Sequence, residues 1–160
     1  MNFGPRILQM SVLLAALAAG TAGTAGAQTS RVHLGPRIAY NFDLEDFAFG
    51  AQLGIPVATR LEFYPSFDYY FVDPGSAWGL NADLKYRFAG ESLDWLYVGG
   101  GLNFTGVDNG DDDTNVGLNL IGGVETLRGW VHPFGELKAT ISDGSFIQLA
   151  VGLNFTLGKH

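Results

Sequence analysis

From Val32 to Leu157 apolar side chains return at every second residue, in eight runs divided by short clusters of turn residues. That interval is the repeat of an extended chain, whose side chains point alternately to its two faces, and it excludes amphipathic helices, whose apolar positions fall three and four apart. In the first half, Val32, Leu34, Ile38, Tyr40 and Phe42 alternate with Arg31, His33, Gly35, Arg37 and Asn41. Phe47, Phe49, Ala51, Leu53, Ile55 and Val57 then alternate with Ala48, Gly50, Gln52 and Gly54. Leu61, Phe63, Phe67, Tyr69 and Phe71 oppose Glu62, Tyr64, Ser66, Asp68 and Tyr70, and Trp78, Leu80, Ala82, Leu84, Tyr86 and Phe88 oppose Gly79, Asn81, Asp83, Lys85 and Arg87. The second half repeats the pattern around Leu96–Phe104, Val116–Glu125, Val131–Ile141 and Ile147–Leu157.

Each run has about the 9–11 residues that a tilted membrane strand requires. The connections fall near Asp43–Asp46, Ala58–Arg60, Asp73–Ser76, Ala89–Leu93, Gly106–Asp113, Arg128–Gly129 and Ser142–Gly144. All are short enough for hairpins, so the strands should be antiparallel neighbours in sequence order. The expected fold is all-β: an eight-stranded antiparallel up-and-down barrel. A Gly-Leu-Asn triplet recurs at Gly79, Gly101, Gly117 and Gly152, always with Leu on the apolar face, and reads as a packing motif.

Two opposite barrels share this pattern, one with its apolar face enclosing a ligand and one with that face turned to lipid. Nine strand glycines lie on the polar face and three (Gly100, Gly122, Gly135) on the apolar face, which suits a polar face crowded around a narrow axis. The apolar face carries no charge within any strand, as expected where a charge at mid-membrane costs about 2–4 kcal/mol. Its aromatic residues gather at strand ends: Phe42, Phe47, Tyr69, Phe71, Trp78 and Phe104 toward one rim, and Phe63, Tyr86, Phe88 and Phe155 toward the other. Such girdles mark the two water interfaces of a membrane. The barrel is therefore expected to span a membrane.

Residues 1–27 read as a cleaved signal peptide: Arg6, an apolar run from Ile7 to Ala19, then Ala25-Gly26-Ala27 as an A-x-A cleavage site. Residues 28–160 would form the barrel. Losing Arg6 leaves eight basic residues against 16 acidic ones, a balance that excludes nucleic acid as a partner. With Cys 0 there is neither a disulfide framework nor a thiolate metal site.

A polar lumen would hold Arg37, Lys85, Arg87 and Lys138 with Glu62, Asp68, Asp83, Glu125 and Glu136, and these should pair into a network that plugs it. A four-residue loop at Asp73–Ser76 would set Glu62 opposite Arg87, and a two-residue turn at Arg128–Gly129 would set Glu125 opposite His132. Trp95 and Trp130 fall on the polar parity and should cap the lumen or shift through bulges. Pro36, Pro56, Pro65 and Pro133 each remove a ladder donor, which suits bulges and rims, yet Pro65 falls in mid-strand. Odd-numbered connections carry Asp43, Glu45, Asp46, Asp73, Asp108, Asp111, Asp112, Asp113 and Asp143 and no Lys or Arg, whereas Arg60, Arg128 and Lys159 mark the other end with Glu91 and Asp94. With both termini periplasmic, the acidic end would face outward.

No catalytic, cofactor-binding or metal-binding residue is assigned. Asp108-Asn109-Gly110-Asp111-Asp112-Asp113 could attract Ca²⁺, but it lacks the spacing and closing Glu of an EF-hand and reads as a solvated hairpin tip. His33, His132 and Glu136 are acid–base types with no Ser placed beside either His. Lipid A deacylases carry a His-x-Ser element where this chain has His132-Pro133-Phe134, so both histidines read as lumen hydrogen-bond partners.

The strand count, the secretion signal and the closing Gly152-Leu153-Asn154-Phe155-Thr156-Leu157 resemble the small OmpA/OmpX-type outer-membrane barrels. That resemblance covers the whole mature part. It implies a bacterial outer-membrane location, a non-enzymatic structural or surface role, and a monomer. The partners it implies are outer-membrane lipid, lipopolysaccharide and the barrel insertion machinery, the last reading an aromatic residue near the end of the final strand, here Phe155. The alternatives are a soluble periplasmic lipocalin-like barrel that binds an apolar small molecule and a barrel enzyme that modifies lipid.

Overall fold

The computed structural model describes residues 31–72, 75–108 and 112–158. The expected signal peptide, Asp73, Asp111 and Lys159 lie outside the described residues, as does the side chain of Asp112. Eight strands follow one another: β1 (His33–Asn41), β2 (Asp46–Ala58), β3 (Leu61–Tyr70), β4 (Ser76–Arg87), β5 (Leu96–Asp108), β6 (Asp112–Glu125), β7 (Val131–Ile141) and β8 (Phe146–Thr156). Each pairs antiparallel with its sequence neighbours, and β8 pairs with β1, so the sheet closes in the order β1 to β8. Closure leaves no strand edge unpaired, the condition on which a sheet can cross a membrane. No helix among the described residues is long and apolar enough to cross one.

Burial runs opposite to that of a water-soluble protein. Leu84, Leu102, Leu118, Leu120, Leu137 and Val151 are exposed, Leu120 by 57% and Val151 by 51%, whereas Arg37, Asp83, Glu136 and Lys138 are buried at 2% or less. Apolar side chains outside and ionised ones inside is the arrangement of a barrel that spans hydrocarbon. The aromatic rings of the outer face gather into two bands. Tyr40 meets Phe42 and Phe47 (5.2 and 4.8 Å between centroids), and Phe71 meets Tyr69 and Phe49 (5.1 and 6.0 Å), all near the end where β1 passes into β2. Tyr86 with Phe88 (6.0 Å) and Trp130 with Phe155 (5.6 Å) mark the opposite end.

Inside, bulky rings are accommodated by glycines on adjacent strands. A Cβ at Gly54 would stand 2.7 Å from the Tyr64 ring, and one at Gly152 would stand 2.7 Å from the Phe134 ring. Three lumen side chains, Tyr64, Tyr97 and Phe134, thus fit a cylinder only just wide enough for its own contents.

Each of the four strand prolines sits where one ladder is open. β1 pairs with β8 at Leu34 and again at Arg37, skipping Pro36, and β2 pairs with β3 at Gln52 and again at Ile55, skipping the positions opposite Pro65. Pro65 still pairs with Ala82 on its other side. Pro56 lies beside the register shift in β2, and Pro133 lies beyond the last β6–β7 pair. A residue without an N–H costs little at such gaps, which explains the tolerance of Pro65 in mid-strand.

Three expectations from sequence need correction. Glu62 pairs with Lys85, not Arg87, because β3 ends at Tyr70 opposite Ala77 and the hairpin loop is correspondingly longer. Glu125 pairs with Phe134, not His132, because the β6–β7 connection extends from residue 126 to residue 130. Neither Trp95 nor Trp130 caps the lumen. Both lie just before a strand begins, exposed by 46% and 61%, where the alternation of the following strand does not govern them. Trp95 donates its indole N–H to the Ser92 carbonyl (2.7 Å), and Trp130 joins the outer aromatic band.

Candidate functional site

Among the described residues, the lumen concentrates the buried chemistry-bearing side chains. Alternation sends every second residue of all eight strands inward, and the four cations and five carboxylates expected there are all found there.

At mid-lumen Glu136 of β7 is the hub. Its carboxylate contacts the Lys85 ammonium from β4, accepts from the Tyr97 hydroxyl (2.9 Å), and lies 3.8 Å from Arg37 Nη1 and 4.0 Å from Lys138 Nζ. Lys85 is also held over the rings of Tyr64 and Tyr97, 4.1 and 4.9 Å from their centroids, where the faces of the aromatic rings favour a cation. Lys138 donates to Asp83 (2.9 Å), and Arg37 Nε lies 3.0 Å from Asp68 Oδ1 without aiming its N–H along a hydrogen bond. Around Glu136, therefore, three cations (Arg37, Lys85, Lys138) face three carboxylates (Asp68, Asp83, Glu136).

Amides extend these pairs. Asn119 donates to Asp83 (2.7 Å) and Asn81 (2.9 Å), Asn103 donates to Asn81 (2.8 Å), and Asn81 donates to Ser66 (3.1 Å). Gln52 donates to Asn154 (2.8 Å), which donates to Glu125 (2.7 Å). Glu125 also accepts from Arg87 (2.7 Å), whose second partner is Glu62 at 3.3 Å. The Glu62–Arg87 contact expected from sequence thus forms diagonally across the ladder.

His132 and His33 lie at the end of the barrel where β1 begins and β8 ends. His132 Nδ1 faces the Thr126 carbonyl (2.7 Å), which can only accept, so Nδ1 donates there, and Nε2 lies 2.8 Å from the Thr156 hydroxyl. His33 Nδ1 stands 3.4 Å from the same hydroxyl, and the two imidazoles meet edge to face at 5.1 Å. No group of three or more His, Cys, Asp or Glu able to hold a metal occurs among the described residues.

At the opposite end the lumen opens into a cavity of about 240 Å³ above the ion pairs. Asn81, Asn103, Asp68 and Gln148 form its floor, with Tyr70, Thr105 and Asn115 among its walls. Asn41 Oδ1 accepts the N–H groups of Asp43 and Leu44 (2.9 and 3.1 Å), and Asp43 accepts the N–H of Ile147 (3.0 Å), tying the β1–β2 turn to β8 at the cavity mouth. Asp43, Glu45, Asp46, Asp108, Asp113 and Asp143 all lie at this end, because odd connections of an up-and-down barrel emerge together. No Lys or Arg joins them among the described residues. Apart from Glu62–Arg87, the lumen pairing partners lay beyond sequence reasoning, as did this cavity, since both depend on which strands face each other across the axis.

No family model matches the chain, and no curated protein sequence does. Solved structures do match its fold. The N-terminal β-barrel domain of OprF from Pseudomonas aeruginosa superposes with a TM-score of 0.65 at 14% identity, covering 79% of this chain and 96% of that one. Neisserial surface protein A superposes with a TM-score of 0.55 at 17% identity, covering 79% of this chain and 95% of that one. The chain shares their small closed barrel with few of their residues.

Proposed function

We propose that the mature chain is a small integral protein of a bacterial outer membrane, a monomeric barrel whose lumen is plugged and whose acidic end faces outward. Its role is structural or surface-presenting and not catalytic. Its partners are outer-membrane lipid, lipopolysaccharide and the barrel insertion machinery.

The carrying observation is the inverted burial. A water-soluble barrel with Leu102, Leu118, Leu120 and Leu137 each exposed by 45% or more would present a continuous apolar band to solvent, far beyond the isolated patches that soluble monomers tolerate. The same inversion counts against a periplasmic lipocalin-like barrel, whose ligand would need the apolar face inside. The fold shared with the OprF barrel domain supports the bacterial envelope as the setting. Ion pairs from β1, β3, β4 and β7 meeting at mid-lumen support a plug, because eight strands leave no room for a water column beside them. Against lipid hydrolysis stands the chemistry of the histidines: His132 is engaged at both nitrogens inside the lumen, away from the lipid-facing surface.

Fractionation with electrophoresis tests this reading. The protein should pellet with outer membranes and migrate as a compact band until boiled in detergent. Recovery in the periplasmic fraction, with mobility unchanged by boiling, would overturn it.

A further inference from the structure

The barrel mouth holds a built cavity that neither the ion pairs nor the lipid-facing surface accounts for. Its lining sets the side-chain amides and hydroxyls of Asn81, Asn103, Asn115, Gln148 and Thr105 among apolar surface from Val72, Val107, Phe146 and the ring of Tyr70. The two carboxylates that line it are already engaged. Asp43 accepts the Ile147 N–H (3.0 Å), and Asp68 faces Arg37 and accepts from Gln148 (3.3 Å). The amides of Asn81 and Asn103 are held by each other and by Asn119 and Thr105, whereas the Asn115 side chain makes no hydrogen bond to another described residue.

Gly79 gives this hollow its depth. At most of the other polar-face glycines, an added Cβ would collide with a neighbour below 3.0 Å, but at Gly79 the nearest atoms, Asn103 Nδ2 and Tyr70 Cε2, stand off at 3.9 Å. The lumen is packed below and open here.

We propose that this cavity binds a neutral polyhydroxylated ring, a single sugar residue, either free or at the tip of a surface glycan. The volume of about 240 Å³ is smaller than the roughly 300–1,000 Å³ of typical drug-sized ligand sites, and it holds the equivalent of about eight waters at ~30 Å³ each. Fixed amides offer a donor and an acceptor side by side, which matches adjacent hydroxyls, and the Tyr70 ring gives an apolar face for ring C–H groups. An anion is disfavoured by the acidic mouth. On the floor the buried carboxylate, Asp68, is already paired with Arg37, so the groups a ligand meets there are neutral amides.

The test is a titration of isotope-labelled protein, folded in detergent micelles, with D-glucose and D-galactose, alongside gluconate and glucosamine as charged analogues. The readout is the side-chain amide resonances of Asn81, Asn103 and Asn115. At least one neutral sugar should give saturable shifts at these amides in the millimolar range and bind more tightly than both charged analogues. Gly79→Leu, which fills the hollow, and Asn115→Leu, which removes an exposed amide without breaking a hydrogen bond, should each weaken binding at least tenfold while the compact unboiled band persists. If Gly79→Leu fails to fold, Asn115→Leu alone decides. Absence of saturable shifts with both neutral sugars, unchanged affinity in the folded variants, or tighter binding of either charged analogue would overturn the proposal. A free sugar and a glycan tip are distinguished by repeating the titration with a disaccharide that ends in the bound sugar, which only a mouth able to pass a linked chain would accept.

Discussion

Replacing Glu136 by Gln removes one negative charge from mid-lumen while keeping the shape of the side chain and an acceptor for the Tyr97 hydroxyl. Before the change, Arg37, Lys85 and Lys138 are balanced by Asp68, Asp83 and Glu136, all buried at 5% or less. Afterwards three cations share two carboxylates. Lys85 loses most, because Asp68 and Asp83 are engaged by Arg37 and Lys138 and only the rings of Tyr64 and Tyr97 remain against it. Leaving one member of a buried ion pair uncompensated typically costs about 3–5 kcal/mol, a large share of the roughly 5–15 kcal/mol that holds a domain folded. Glu136→Gln should therefore lower the stability of the barrel by about 3–5 kcal/mol, measured by reversible urea unfolding in lipid vesicles. The further change Lys85→Met, which removes the stranded charge, should recover most of that loss, since an apolar replacement of a buried pair is often neutral. A Glu136→Gln barrel within about 0.5 kcal/mol of the parent would refute the reasoning, because it would mean that water already screens these charges.

Three further outcomes follow from the same geometry. Leu120→Arg, at mid-strand on the exposed face, should cost about 2–4 kcal/mol in vesicle unfolding, whereas Phe47→Arg at the rim should cost about 0–1 kcal/mol. Tyr97→Phe should cost about 1–3 kcal/mol by deleting the hydrogen bond to Glu136, but Tyr64→Phe should be nearly neutral, since the buried Tyr64 hydroxyl has no well-formed partner. Gly152→Val, whose Cβ would press on the Phe134 ring and the Pro36 carbonyl, should destabilise by about 1–3 kcal/mol or abolish the compact unboiled band.

The sequence made the strands and their faces legible because both follow from a local rule. An alternation of two is visible wherever one face meets hydrocarbon and the other meets charge, so Leu102 and Asn103 are assigned without knowledge of their neighbours. Register is set by loop length, which composition marks only loosely, and both predicted hairpin registers were two residues off. An even error keeps every side chain on its correct face, which is why Glu62 still reaches Arg87. Trp95 and Trp130 misled because parity was carried past the strand ends, where nothing enforces it. Pro65 was opaque for a different reason: the gap that admits it belongs to the pairing of β2 with β3, not to β3 alone. Least legible were the meeting of Lys85 with Glu136, residues 51 apart on strands that share no ladder, and the cavity above them. Both arise from closure, the stagger at which eighth strand meets first, and no local pattern encodes it.

The claim on which everything else rests is that odd and even positions of one strand face different media. The chain has Cys 0, so single cysteines can be placed at will along β6 and spin-labelled in vesicles. Collision with oxygen, which concentrates in hydrocarbon, should peak at Val116, Leu118, Leu120 and Val124 and fall at Asn119 and Ile121, with a water-soluble nickel chelate excluded from the first set. Access of the chelate to Leu118 and Leu120, with oxygen contact greatest at Asn119 and Ile121, would contradict the account.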